Sequence, residues 1–214
     1  MERKRYDALI LDVDGTIWDS TALVAKGWSA AAREYGIEKP VLEEDLKKLF
    51  GQTMDRIGAQ LFPEVPEAER EVLLHRCEAL EEQVLEEDPC DICYPGVPET
   101  IRALSEILPV CVVSNCQSGY IELMMEKTGT ADCIADTLCY GDTGEGKAAN
   151  TRALVERNGF RNPAYVGDIQ GDQDAAHEAG CAFIHAAYGF GTADAPEAVI
   201  DSFPALLDLV REED

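Results

Sequence analysis

Two aspartates one residue apart, Asp12 and Asp14, close the apolar run in LILDVDGTIWDS between Leu9 and Ser20. Carboxylates this close repel each other in a crevice, so a counter-charge must offset them. A divalent cation such as Mg²⁺, bound through oxygen, fits that need. An ionised Asp fixed beside such a cation can act as a nucleophile toward phosphorus. The chain places further polar groups in comparable positions. Ser114 and Asn115 follow VCVV, Asp168 follows a short apolar run with Asp172 four residues on, and Lys147 opens a helical stretch. Each has an ordinary reading alone, as turn former, helix cap or surface lysine. Their shared position at the ends of apolar runs is what makes them a constellation.

The elements that must hold them follow from periodicity. Leu9, Ile10 and Leu11 suit a buried strand, with Asp12 to Thr16 at its carboxyl end, where ligands bind in open α/β sheets. Four helices are predicted next, over 20–36, 42–50, 53–61 and 67–87. The last has Val72, Leu73, Leu80 and Val84 on its apolar side, and Glu78, Glu81, Glu82, Glu86 and Glu87 as a solvated acidic stripe. Helices in succession cannot be the crossovers of a parallel sheet, so they read as a separate module. After the Tyr94-Pro95-Gly96 turn, strands and helices alternate. Strands are expected at 110–115, 133–140, 164–167 and 181–189, and helices at 97–108, 118–128, 147–158, 172–179 and 202–212. This pattern predicts βαβ units with right-handed crossovers. The fold class is α/β: a Rossmann-like parallel sheet with helices on both faces, formed by 1–17 and 90–214, with an all-α cap, 18–89, inserted after the first strand.

At 214 residues the chain can bury one substantial core and a smaller second module. Its 42 acidic and 18 basic residues give a formal charge of −24, which disfavours nucleic acid polymers and anionic membranes as partners. A small anionic substrate is compatible with that charge if a metal and local donors reverse the field inside the site. No apolar run approaches a membrane span and MERKRYD is not a signal peptide, so a cytoplasmic protein is expected. The eight cysteines are then expected to be reduced. Cys90 and Cys93 form a CxxC, with His75 and Cys77 upstream, which leaves a zinc or redox role as an alternative. His75, His177 and His185 show no partner spacing.

The chain resembles the haloacid dehalogenase superfamily of phosphohydrolases, in the helical-cap branch similar to phosphoglycolate phosphatases. Four motifs carry the resemblance in order: Asp12-Val13-Asp14-Gly15-Thr16, Ser114 after VCVV, Lys147, and Gly167-Asp168-Ile169-Gln170-Gly171-Asp172. Tyr94-Pro95-Gly96-Val97 and the AAHEAG run from Ala175 extend it over essentially the whole chain. It implies a Mg²⁺-dependent phosphatase acting on a small phosphorylated metabolite, such as a phosphoglycolate, nucleotide or sugar phosphate, through an aspartyl phosphate. Asp12 would be the nucleophile and Asp14 the acid and base. Mg²⁺ would be held by Asp12, the Asp14 carbonyl, Asp168 and Asp172. Gly15, Thr16, Ser114, Asn115 and Lys147 would bind the phosphoryl group, and Lys147 would also offset charge on the nucleophile. Dehalogenases of this fold lack an acid at the place of Asp14, since a halide needs no proton. Substrate contacts in the cap would come from Trp18, Asp19, Ser20, Gly51, Gln52 and Thr53. The ordinary reading of Trp18 is packing between core and cap, and that of Asp19-Ser20 is the N-cap of the next helix. A phosphomutase similar to β-phosphoglucomutase and a phospho-Asp signalling module are the alternatives. A monomer or homodimer is expected.

Overall fold

Four consecutive apolar residues make β1 (Ala8–Leu11), a strand with no exposed position, because it lies in the interior of a parallel sheet covered on both faces. The structure is a computed structural model that describes residues 5–89 and 92–211. After β1 come α1 (Thr21–Glu34), α2 (Glu43–Leu49), α3 (Met54–Leu61) and α4 (Glu67–Glu87). Then follow α5 (Val97–Ser105), β2 (Val110–Ser114), α6 (Tyr120–Thr128), β3 (Asp136–Cys139), α7 (Tyr140–Thr143) and α8 (Lys147–Asn158). The chain continues through β4 (Pro163–Gly167), α9 (Gln170–Glu178), β5 (Ala182–Ala186), β6 (Ala198–Ile200) and α10 (Leu206–Leu209).

The sheet order is β3-β2-β1-β4-β5-β6, all parallel. Leu11 is in register with Val112 of β2 on one side and Val166 of β4 on the other. The chain builds β2 and β3 outward from β1, then returns past it to build β4, β5 and β6. That reversal puts a crevice beside the carboxyl end of β1, the place where open α/β sheets bind ligands. The period of two sorts the strand residues between two apolar layers. Leu9, Leu11, Val112 and Val166 pack on one face with Ile101, Leu104 and Met124, while Ile10, Val113, Tyr165 and Phe183 pack on the other with Leu154 and Ala176.

Helices α1 to α4 bury an apolar cluster of their own, with Val24, Trp28, Leu46, Ile57, Phe62 and Leu73 among its members. The two chain passages joining this helical segment to the sheet run side by side. Asp19 donates its N–H to the Ile92 carbonyl at 2.9 Å and Tyr94 donates to Ile17 at 3.1 Å.

The fold class is as expected from the sequence, with four local differences. A sixth strand, β6, pairs parallel with β5 at the sheet edge. Its three residues, Ala198, Val199 and Ile200, are too few to carry a periodicity. The stretch 133–140 is strand only over β3, which a single 3₁₀ turn precedes and the short α7 follows. The closing helix is a 3₁₀ turn plus the four-residue α10. In α4 the buried residues are Leu73, Leu74, Cys77, Glu81 and Leu85, whereas Val72 is 56% exposed. Glu81 is therefore not part of a solvated stripe; it is 4% exposed and faces inward. The thiols of Cys77, Cys111, Cys116, Cys133, Cys139 and Cys181 are free, whereas Cys90 lies outside the described residues, so the CxxC pair has no structural description.

Helices α1 and α4 approach closely because Gly27 presents no side chain to the crossing. A Cβ there would stand 2.9 Å from the Leu80 carbonyl oxygen, an atom of the helix backbone that cannot rotate away. Gly27→Ala is expected to lower stability by about 1–2 kcal/mol despite the better helix propensity of Ala. A urea titration checks this: the midpoint should fall with an unchanged slope.

Candidate active site

Three neighbouring strands deliver the polar groups to one edge. Asp12 follows β1 and donates its backbone N–H to Val166 at 2.9 Å; Ser114 ends β2, and Asp168 follows β4. Asp12, Asp168 and Asp172 bring one carboxylate oxygen each within 4.8 Å of one another, and all three residues are buried. Lys147, first residue of α8, is buried beside them. Its ammonium is 3.0 Å from Asp12 Oδ2 and 2.5 Å from Asp172 Oδ1, and 5.7 Å from the centre of the Tyr165 ring.

The two oxygens of Asp12 are thus unlike. Oδ2 is tied to Lys147, while Oδ1 is fully buried with no hydrogen-bond partner. An acceptor left in that state is costly unless a cation or an electrophile meets it. Burial pushes the Asp12 carboxyl upward, and the Lys147 ammonium opposes that shift. Burial likewise raises Asp168, with Asp172 and Asp12 adding to the effect. Lys147 is held firmly protonated by the two carboxylates it faces, in spite of its burial. Three crowded carboxylates against one ammonium suit a further positive charge. Carboxylate oxygens are the donor set a hard divalent cation takes, so the residues present fit Mg²⁺. Asp172 has both oxygens engaged: Oδ1 with Lys147, and Oδ2 with the backbone N–H groups of Asp168 at 3.0 Å and Ile169 at 3.2 Å.

Asp168 is wedged in place by absent side chains. Gly15, at φ +79°, would put a Cβ 2.2 Å from Asp168 Oδ2, so only glycine satisfies both the turn and the contact. Gly189 lies equally close, and the next residue, Phe190, donates its N–H to Asp168 Oδ2 at 2.6 Å.

Asp14 is held differently. Its Oδ1 accepts from Ser20 Oγ at 2.6 Å, Tyr120 OH at 2.9 Å and Trp18 Nε1 at 3.1 Å, which leaves Oδ2 for proton exchange. Burial raises its pKa to about 6, against the lowering effect of those three donors.

A partly open cavity of about 30 Å³ lies between the sheet edge and the helical segment, room for about two water molecules. Asp12, Asp14, Ser114 and Asn115 line it from the sheet, and Gly51, Gln52 and Glu81 from the helices. Asn115 Nδ2 donates to the Gly51 carbonyl at 2.7 Å, and its buried Oδ1 has no partner. Glu81 accepts from Trp28 Nε1 at 2.6 Å and from Gln117 Nε2 at 2.9 Å, so a helical residue and a loop residue after β2 share one carboxylate.

Of the residues expected from the sequence, Asp12, Asp14, Ser114, Asn115, Lys147, Asp168 and Asp172 are together here. Gly15 is beside Asp168, and Thr16 is fully buried with an unpartnered hydroxyl. Gly51 and Gln52 line the cavity, whereas Thr53 lines only an outer cleft. Trp18, Asp19 and Ser20 are not among the residues lining this cavity. Trp18 is 1% exposed, and it and Ser20 are committed to Asp14. Asp19 pairs with Lys47 at 3.2 Å and accepts the Thr21 N–H at 3.1 Å. Three residues were missed: Tyr120, Gln117 and Glu81. Tyr120 could have been suspected as a polar aromatic in the first turn of a helix that starts just after Ser114-Asn115.

A family model described as "Haloacid dehalogenase-like hydrolase" matches residues 9–186. A phosphoglycolate phosphatase of Vibrio vulnificus is 29% identical over 98% of both chains, and one of Chromobacterium violaceum 27% identical over 99% of both. Among solved structures, a predicted phosphoglycolate phosphatase from Haemophilus somnus superposes with a TM-score of 0.82 at 22% identity, covering 97% of this chain and 99% of that one. That last likeness concerns the fold.

Glu81 makes stability depend on pH. Burial lifts its carboxyl from 4.5 to about 7, against hydrogen bonds from Gln117 and Trp28 that lower it. The folded chain then holds a proton that the unfolded chain releases between those values. Stability from this group is complete below about 4.5 and is lost as pH rises to about 7, by roughly 2–3 kcal/mol. Glu81→Gln removes the titration. Melting curves at pH 5 and pH 8 should show the variant gaining on the wild type at the higher pH.

Proposed function

Since the chain belongs to the haloacid dehalogenase-like hydrolase family, we propose that it is a Mg²⁺-dependent phosphatase that hydrolyses a small phosphorylated metabolite through a phosphoryl group carried on Asp12. The observation that carries this reading is the asymmetry of Asp12: one oxygen on Lys147, the other buried and unpartnered at a cavity wall. The phosphatase names of the full-length relatives support it. Residues 18–89 act as a cap over a core formed by 1–17 and 90–214, because the helices bury their own apolar cluster and meet the sheet edge across the cavity.

In the first half-reaction Asp12 Oδ1 attacks phosphorus, and the ester oxygen leaves with a proton from Asp14. Asp14 suits this task because its three donors fix Oδ1 and its raised pKa lets it carry a proton near neutral pH. In the second, Asp14 takes a proton from water, which attacks phosphorus and frees Asp12 and inorganic phosphate. The Ser114 hydroxyl and Asn115 amide orient the phosphoryl oxygens, and Lys147 offsets the charge shared between phosphate and nucleophile. Asp12, Asp168 and the Asp14 carbonyl would hold Mg²⁺, with Asp172 supporting Lys147 and the Asp168 backbone. The cation would supply charge neutralisation at the phosphoryl group.

Asp12→Asn should lower turnover of a phosphomonoester by about 10³ or more, read as phosphate release with Mg²⁺ present. Near-normal turnover in that variant would overturn the assignment. A chelator should abolish wild-type turnover and added Mg²⁺ restore it. Tyr120→Phe removes one donor from Asp14 and should lower kcat by about 5–10-fold with little change in KM, which steady-state kinetics resolves.

A further inference from the structure

Glu81 is an acid in a cavity built for an anion, and the catalytic scheme above gives it no step. Its backbone belongs to α4, its side chain is 4% exposed, and it lines the cavity together with Asp12, Asp14 and Ser114. Trp28 and Gln117 each donate to one of its oxygens, which fixes the carboxylate in place. A carboxylate has about four lone-pair sites, so about two remain for a third partner. Among the described residues, no Lys or Arg lines this cavity; Lys147 is spent on Asp12 and Asp172. A cleft of about 500 Å³ shares Met54, Gln117 and Tyr120 with the cavity and adds Glu78 and Glu82, again with no Lys or Arg among the described residues.

We propose that Glu81 sets the leaving-group preference of the site, favouring phosphomonoesters whose leaving group carries hydroxyl or ammonium donors and disfavouring those that carry a carboxylate. The proposal rests on the phosphatase reading and names the substrate class within it. A leaving group with donors supplies what the open lone pairs of Glu81 accept. Above pH 7, where Glu81 is ionised, a leaving group with a carboxylate meets a like charge with no Lys or Arg beside it among the described residues, which discriminates against it. The site therefore differs in chemistry from what the phosphoglycolate phosphatase names of its relatives describe, since glycolate is a carboxylate. A competing anchor exists in Arg56, which lines an outer cleft of about 630 Å³ that also reaches Lys147. That cleft holds Asp55, Asp174 and Glu178 as well.

The test measures kcat/KM at pH 8 with Mg²⁺ for ethanolamine phosphate, glycerol 3-phosphate and 2-phosphoglycolate, using the wild type, Glu81→Gln and Arg56→Ala. p-Nitrophenyl phosphate serves as a generic ester. The wild type is expected to prefer the first two over 2-phosphoglycolate by about tenfold or more, and Glu81→Gln to shrink that gap by a similar factor. A purely structural role would lower all three constants together and leave their ratios alone. The proposal is overturned if 2-phosphoglycolate is the best of the three in the wild type. It is also overturned if the gap survives in Glu81→Gln, or if Arg56→Ala and not Glu81→Gln changes the ratios. The wild-type ranking decides the matter even if Glu81→Gln does not fold. If the wild type turns over none of the esters, including p-nitrophenyl phosphate, the phosphatase reading itself has failed and the proposal falls with it.

Discussion

The ammonium of Lys147, caught between Asp12 and Asp172, is the interaction on which the rest of the site depends. Three carboxylates within 4.8 Å would repel one another strongly in a dry interior, and this one cation makes the cluster tolerable. Stripping one partner from such a buried pair typically costs 3–5 kcal/mol, because a charge is left without compensation. The surrounding backbone is shaped to the same end. Gly15 and Gly189 let Asp168 approach, and Gly167 does so for Asp172, whose Oδ2 lies 2.5 Å from where a Cβ would stand. The cluster is thus a backbone requirement as much as a side-chain one, and it ties β1, β4 and the first turns of α8 and α9 into one unit.

The helical segment meets the sheet through apolar and polar contacts, with Leu85 of α4 buried in the sheet's own cluster and Lys127 donating to the Glu86 carbonyl. Asn115 reaches the Gly51 carbonyl, Gln117 reaches Glu81, and the Phe50 and Phe190 rings meet edge to face at 6.1 Å. Gly51, at φ +87°, would drive a Cβ to 2.4 Å from Ile169, so the loop between α2 and α3 lies flat on the sheet edge only as glycine. The helices also bury a cluster of their own, built around Val24, Trp28, Ile57 and Leu73, apart from the sheet clusters that Leu85 joins. The groups proposed to attack and protonate come from the sheet edge, and the groups proposed to discriminate come from the helices.

Most of the sheet-borne site was legible because its signals are local. An apolar run that stops at a charged residue marks both a strand end and its functional edge, and Asp12, Ser114 and Asp168 all follow that rule. The helical side was less legible because burial there depends on which stripe of α4 faces inward. Val72 and Val84 are apolar and suggested one stripe, while the buried set follows Leu73, Cys77, Glu81 and Leu85 at intervals of four. A glutamate in that series reads as an exception until Trp28 and Gln117, 53 and 36 residues away, are seen to donate to it. Trp18 was open to two readings, stacking on a substrate or packing between core and cap; in the structure it is buried and its indole N–H donates to Asp14. The strand β6 and the Phe190 N–H that holds Asp168 leave no trace in periodicity or residue type; only the three-dimensional path of the chain brings them into play.

The cavity between the sheet edge and the helices has a consequence for size selection. It has room for about two water molecules, while the cleft of about 500 Å³ that shares Met54, Gln117 and Tyr120 with it is far wider. On the proposed reading a phosphoryl group would sit against Asp12 at the narrow end and its leaving group would extend toward the wider cleft. The bulk of the ester the chain accepts would then be set at the mouth and not at the floor.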